Sequence, residues 1–172
     1  FNIWKKRNSY ISLLKLLVDP SLKNMPQWIN FQTTLFCNLR CPHCQTHGTE
    51  KLRATYNSKT FNMPTELLEK AGKEALPWVN SYSLSLNGEP LLTPDVYNII
   101  EKFSSFDAKL DLTTNGILLT SSVLGRILPF LNKVCFSVDG ASKHTYERNR
   151  LGAKYENFIT NVKLITRVFE IA

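Results

Sequence analysis

The chain has 172 residues, 43% hydrophobic and 20% charged, which suits one domain with a sizeable core and excludes disorder by composition. Lysine and arginine number 21 against 14 acidic residues, a net charge of +7. It is spread along the chain apart from Lys5-Lys6-Arg7, and the aromatics are not interleaved with it. That pattern reads as a solvated surface rather than a stacking platform for single-stranded nucleic acid.

In chain order, Tyr10–Val18 has helical apolar spacing and stops at Asp19-Pro20. Its apolar run, broken by Ser12 and Lys15, is far short of the ~20 residues that cross a bilayer. No leader pattern follows Phe1, and the start at Phe and stop at Ile171-Ala172 read as a processed or partial chain. Lys23–Gln27 is a connector. Trp28–Thr34 reads as a strand leading into Cys37, Gly48–Asn62 as a loop, and Pro64–Leu76 as a helix opened by its proline. Tyr82–Leu86 alternates and ends in Asn87-Gly88-Glu89-Pro90. Thr93-Pro94-Asp95 then starts a helix through Phe103, with Thr93 as its cap. Lys109–Thr113 alternates before Thr114-Asn115-Gly116, and Thr120-Ser121 caps a helix to Leu131. Val134–Val138 is a short strand before Asp139-Gly140, and Tyr155–Glu170 is the last helix.

This makes four strand–helix units, the last three strands recurring about every 25–27 residues, as βα units of a parallel sheet do. The expectation is an α/β fold corresponding to about half of an eight-unit barrel. Each strand ends in a polar or glycine-containing cluster. Taken singly, such clusters are ordinary turn chemistry. In a parallel array, all four would lie on one face, where sites are built.

The cysteines are not scattered. Cys37, Cys41 and Cys44 share one eight-residue segment and Cys135 stands alone. Three clustered thiols without a secretion signal read as metal ligands rather than as a disulfide framework. Spacing alone leaves two choices open: a structural zinc site completed by His43 or His47, or an iron–sulfur cluster held by three thiolates. Cys135, mid-strand beside Phe136, reads as a buried small apolar residue. His47 reads as a loop histidine and His144 as a surface helix residue.

These residues resemble the radical S-adenosylmethionine (SAM) superfamily. Cys37-x3-Cys41-x2-Cys44 is similar to its cluster motif, and Asn87-Gly88-Glu89-Pro90 resembles its Gly-Gly-Glu-Pro, with Asn87 replacing the first glycine. Thr113-Thr114-Asn115-Gly116 and Ser137-Val138-Asp139-Gly140 resemble the motifs after the third and fourth strands. Tyr146–Arg150, Gly152 and Tyr155–Phe158 resemble the subgroup that carries a C-terminal SPASM or twitch extension. The resemblance runs from about Trp28 to the end. The helical spacing and connector make 1–27 an N-terminal helix and connector, and the resemblance implies, over 28–172, a partial (β/α) TIM-type barrel. That barrel would lack the later strands and the extension, with its auxiliary clusters.

It further implies a [4Fe–4S] cluster on Cys37, Cys41 and Cys44, with SAM chelating the remaining iron. Gly88 and Glu89, within a motif that includes Pro90, would offer backbone acceptors to the SAM ammonium. Arg150 would pair with its carboxylate. Asn115 and Ser137 would bond the ribose or carboxylate, in motifs that also hold Thr113 and Asp139, and His43 would border the adenine. The implied activity is reductive SAM cleavage to a 5′-deoxyadenosyl radical that abstracts hydrogen from a peptide or small molecule. The implied partners are SAM, an organic substrate and an electron donor such as a flavodoxin or ferredoxin, in the cytoplasm, without a membrane. Two other functions compete. A non-catalytic zinc- or cluster-binding module would not need the ordered strand-end motifs. An RNA-modifying radical SAM enzyme is favoured only by the charge, since no RNA-binding module is recognisable.

Overall fold

Alternation in the short strands fixes which way each side chain faces. In the computed structural model, which describes residues 26–56 and 61–171, four strands pair in chain order and all in parallel. They are β1 (Trp28–Asn30), β2 (Ser81–Ser83), β3 (Lys109–Thr114) and β4 (Leu131–Phe136). Tyr82, Leu84, Leu110 and Leu112 turn to one face and are buried there. Against them pack the helices α2 (Thr65–Ala75), α3 (Val96–Phe103), α4 (Ser121–Ile127) and α6 (Tyr155–Ile171). Phe103 centres this core, edge-on to Tyr82 at 5.3 Å and tilted on Phe31 at 5.8 Å. A Cβ on Gly72 of α2 would meet the Phe103 ring at 2.4 Å, so this glycine lets α2 approach closely.

The four expected units are present with shifted boundaries. The first strand has only three paired residues, but its direction continues through Phe31 N–H to Ser83 O and Thr33 N–H to Leu84 O. The expected loop at 48–62 contains a helix, α1 (Glu50–Tyr56). Pro129 ends α4 early: a 3-10 turn, Leu128–Phe130, follows, and β4 begins at Leu131 rather than Val134. Thr120 caps α4 as expected, accepting from Val123 N–H. At α3 the N-cap position is Asp95, in the left-handed region at φ 52°, and Thr93 instead bonds Thr33 at 2.6 Å. A helix absent from the chain-order reading, α5 (Lys143–Asn149), starts in a capping box between Ser142 and Thr145 and carries exposed His144. The expected helix at 10–18 lies outside the described residues.

Cys135 is a correction. It is exposed, because β4 turns Val134 and Phe136 to the helices and therefore Lys133 and Cys135 to the opposite face. Among the described residues, no helix is long and apolar enough to cross a membrane.

Candidate functional site

The ends of β2, β3 and β4 and the cysteine segment that follows β1 border one cleft of about 370 Å³, within the ~300–1,000 Å³ of small-molecule sites. The cysteine segment is held there from below. Leu39, 1% exposed, plugs into a second small core with Tyr146, Ala153 and Phe158, while Arg40 N–H bonds Leu151 O at 2.8 Å. The leucine inside the motif is thus an anchor, and the turn between α5 and α6 is its socket.

Each sulfur meets a donor group. Cys37 Sγ accepts from Leu39 N–H at 3.4 Å and from Asn115 Nδ2 at 3.9 Å, and Cys41 Sγ accepts from Arg150 Nη1 at 3.8 Å. Cys44 Sγ lies 3.2 Å from Thr46 Oγ1. Burial pushes the Cys37 thiol up to about 11, against the lowering pull of the Leu39 N–H. Burial raises Cys41 too, opposed by the Arg150 charge. Metal coordination draws the proton off such a thiol.

The second strand's turn is built around Gly88 and Glu89. Gly88 sits at φ 79°, and a Cβ there would lie 2.7 Å from both Phe36 O and Thr34 O. Gln32 clasps the same turn, donating to Asn87 O and accepting from Asn87 N–H, both at 2.9 Å. Gly88→Ala should cost about 1–3 kcal/mol of stability through the left-handed backbone and the backbone clash. A thermal or urea melt checks this, and an unchanged midpoint would contradict it.

Glu89 presents its side chain inward, 1% exposed. Its carboxylate accepts from Thr114 Oγ1 at 2.7 Å, Asn115 N–H at 2.9 Å and Leu91 N–H at 3.4 Å, and its own N–H donates to Phe36 O at 2.7 Å. It therefore ties the ends of β2 and β3 to the cysteine segment. Desolvation raises its pKa despite those bonds and the nearby Arg150 charge. The folded state thus holds this proton more tightly than the unfolded chain. The associated stability is complete below the ordinary value of 4.5 and is lost as pH rises through the folded value. Stability followed against pH should show that decline in the wild type and lose it in Glu89→Gln. Glu89→Ala, which strands three donors, should cost at least about 3 kcal/mol, since each buried donor left unpaired costs about 1–3.

The remaining expected residues divide. His43, Gly88, Glu89, Thr113, Asn115, Ser137 and Arg150 line the cleft with the three cysteines. Asn115 is partly committed: its Nδ2 donates to Asn38 Oδ1 at 2.8 Å and its Oδ1 accepts from Ile117 N–H at 3.0 Å. Asp139 stands behind the lining. Its Oδ2 is 2.5 Å from Arg150 Nε and 3.1 Å from His43 Nε2, the former a charge contact too poorly aligned to be a hydrogen bond. Pro90 is buried in a 3-10 turn and does not line the cleft. His47 lies in the turn after the cysteines, as expected, and is buried there. Its Nε2 lies 2.7 Å from Leu35 O, which fixes the end of the cysteine segment. The roles of Gln32 and Asn38 carry no motif signal, because their partners are 55 and 77 residues away.

The family profile of the radical SAM superfamily matches residues 31–171. The chain belongs to this superfamily, whose enzymes use a [4Fe–4S] cluster and SAM. It is 24% identical over 149 residues to an AdoMet-dependent heme synthase of Methanosarcina barkeri, covering 86% of this chain and 41% of that protein. It is 33% identical over 113 residues to a GTP 3′,8-cyclase of Trichodesmium erythraeum, covering 64% of this chain and 34% of that one. The chain therefore spans less than half the length of these relatives. In fold it is similar to anSMEcpe with bound AdoMet (TM-score 0.64, 23% identity, 81% of this chain and 41% of that chain). It is also similar to Streptococcus suis SuiB bound to the precursor peptide SuiA (TM-score 0.66, 18% identity, 94% and 35%).

Proposed function

We propose that this chain is the cofactor-binding part of a radical SAM enzyme that modifies a peptide or a small molecule. In this reading, Cys37, Cys41 and Cys44 hold the [4Fe–4S] cluster. The observation that carries it is the convergence of three thiols, each facing a donor group, with the ends of β2, β3 and β4 on one cleft.

The residues fit a cluster better than zinc. A single tetrahedral zinc about 2.3 Å from each ligand would bring its sulfurs within roughly 4 Å of one another. Among the described residues, no three His, Cys, Asp or Glu side chains are placed to hold one metal ion. Thiolates bound to separate irons of a cluster stand further apart than that.

When bound, the cluster supplies one electron for the reductive cleavage of SAM to a 5′-deoxyadenosyl radical and methionine. The chain's own residues do the rest. Arg150, only 13% exposed in its side chain, offers a guanidinium fork to the SAM carboxylate. Asp139 orients Arg150 and draws His43 toward the same cleft wall. Gly88 lets its turn close onto the backbone of Thr34 and Phe36, and the backbone oxygens of that turn would face the SAM ammonium. Ser137, fixed by its N–H to Thr114 O at 2.9 Å, brings a hydroxyl to the rim. The electron would come from a flavodoxin- or ferredoxin-type donor.

Both relatives above are named for chemistry on small molecules, while SuiB is bound to a peptide; these names support both substrate classes. The protein reconstituted anaerobically with iron and sulfide, then reduced with SAM, should release 5′-deoxyadenosine. Stoichiometric zinc with no iron uptake and no cleavage would overturn the proposal.

A further inference from the structure

The face of the sheet turned away from the helices carries chemistry that the cofactor site does not use. Parallel strands buried on both faces read as near-continuous apolar runs. Here β2 and β3 alternate instead, placing Ser81, Ser83, Asp111 and Thr113 on the far face. A second cleft, of about 180 Å³, opens there, lined by Trp28, Ser83, Asp111, Thr113, Lys133 and Cys135, with Leu112 behind. Thr113 also lines the cysteine cleft, so the two clefts adjoin.

Two features separate this face from an ordinary solvated strand surface. Ser83 is 5% exposed, yet its Oγ has no hydrogen-bond partner; Oδ1 of Asn30, its register partner on β1, is also buried and unpartnered. Buried polar groups ordinarily find a partner, and a ligand seated in this cleft would supply one. Lys133 and Asp111 are also register partners, yet they form no ion pair. Asp111 is already engaged: Oδ2 accepts from Ser81 Oγ at 2.8 Å and Oδ1 from Asn132 Nδ2 at 2.7 Å. Lys133 is left with no carboxylate partner among the described residues, beside the exposed Cys135 thiol.

We infer that this cleft is the subsite for an anionic substrate, whose carboxylate or phosphate is received by Lys133. The Ser83 and Thr113 hydroxyls would donate to the same ligand, and the half-exposed Trp28 ring offers its organic part a flat wall. That the anion belongs to the enzyme's substrate rests on the proposed function of the adjoining cleft; the anion site itself does not.

Cys135 provides a built-in reporter. Iodoacetate and iodoacetamide alkylate a thiolate alike: a sulfur–carbon bond forms, the carbon–iodine bond breaks and iodide leaves. They differ in charge. On the cluster-loaded protein at low ionic strength, peptide mass spectrometry should give an iodoacetate-to-iodoacetamide rate ratio at Cys135 about fivefold above that of Lys133→Gln. This is the effect of one positive charge a few ångströms away in a water-like medium. Lys133→Arg should keep the ratio. Inorganic phosphate or malonate should slow the labelling in the wild type and not in Lys133→Gln, and the more effective of the two names the source of the charge. An equal ratio in wild type and Lys133→Gln, or labelling insensitive to both anions, overturns the inference. The iron content and SAM affinity of the same samples report separately on the cofactor reading.

Discussion

Alanine in place of Cys41 is expected to abolish cluster binding. Reconstituted wild type should hold about four irons per chain with a broad brown absorption, and the variant close to none. Cys41 is 6% exposed and is held between the Leu39 anchor and the Arg150 guanidinium, so no neighbouring side chain can replace its sulfur. The isolated thiol provides the control: Cys135 lies on the far face of the sheet, in the second cleft, and Cys135→Ala should retain its iron. Iron analysis of the two variants side by side is the check, and equal iron in both would contradict the assignment.

Loss of the Arg150 guanidinium should weaken SAM binding without removing the cluster. A charge-assisted bond contributes about 1.5–3 kcal/mol, which is roughly ten- to a hundredfold in affinity. The structure adds a reason to expect the upper part of that range. Arg150 Nε lies against Asp139, and deleting the cation leaves that carboxylate with only His43 beside the cleft, repelling the incoming carboxylate. Asp139→Asn should show a smaller loss of its own, because it frees the guanidinium without removing it. Spectroscopic titration of SAM onto the reconstituted variants separates binding from cluster content. Unchanged affinity in Arg150→Ala would remove Arg150 from the SAM site.

The strand order and the face that carries the site were legible because they depend on short-range pattern. Alternation in Tyr82–Leu86 and Lys109–Thr113, each followed by a glycine turn, is local information. So is the spacing of the three cysteines. What escaped depends on distant partners or on the far face of the sheet. Glu89 was read through its backbone, whereas its buried carboxylate is the tie between two strand ends, made with residues 25 and 26 positions away. The motif groups Asp139 with the cofactor residues but carries no sign that Arg150 and His43 converge on its carboxylate. A cysteine mid-strand beside Phe136 reads as a buried small apolar residue, and that holds only where both faces of the strand are covered. In this sheet one face is polar, and the alternation of Ser81 and Ser83 with Tyr82, of Asp111 and Thr113 with Leu110 and Leu112, and of Lys133 and Cys135 with Val134 and Phe136 carries that face in the sequence.

In the proposed function, three thiolates of this chain hold a cluster whose remaining iron is open to SAM. Electron paramagnetic resonance of the reduced, reconstituted protein, recorded while SAM is added, tests it most directly. The spectrum should change in shape and saturate at one SAM per cluster, as direct ligation of the open iron requires. A spectrum unaffected by excess SAM, with iron present at about four per chain, would contradict the account.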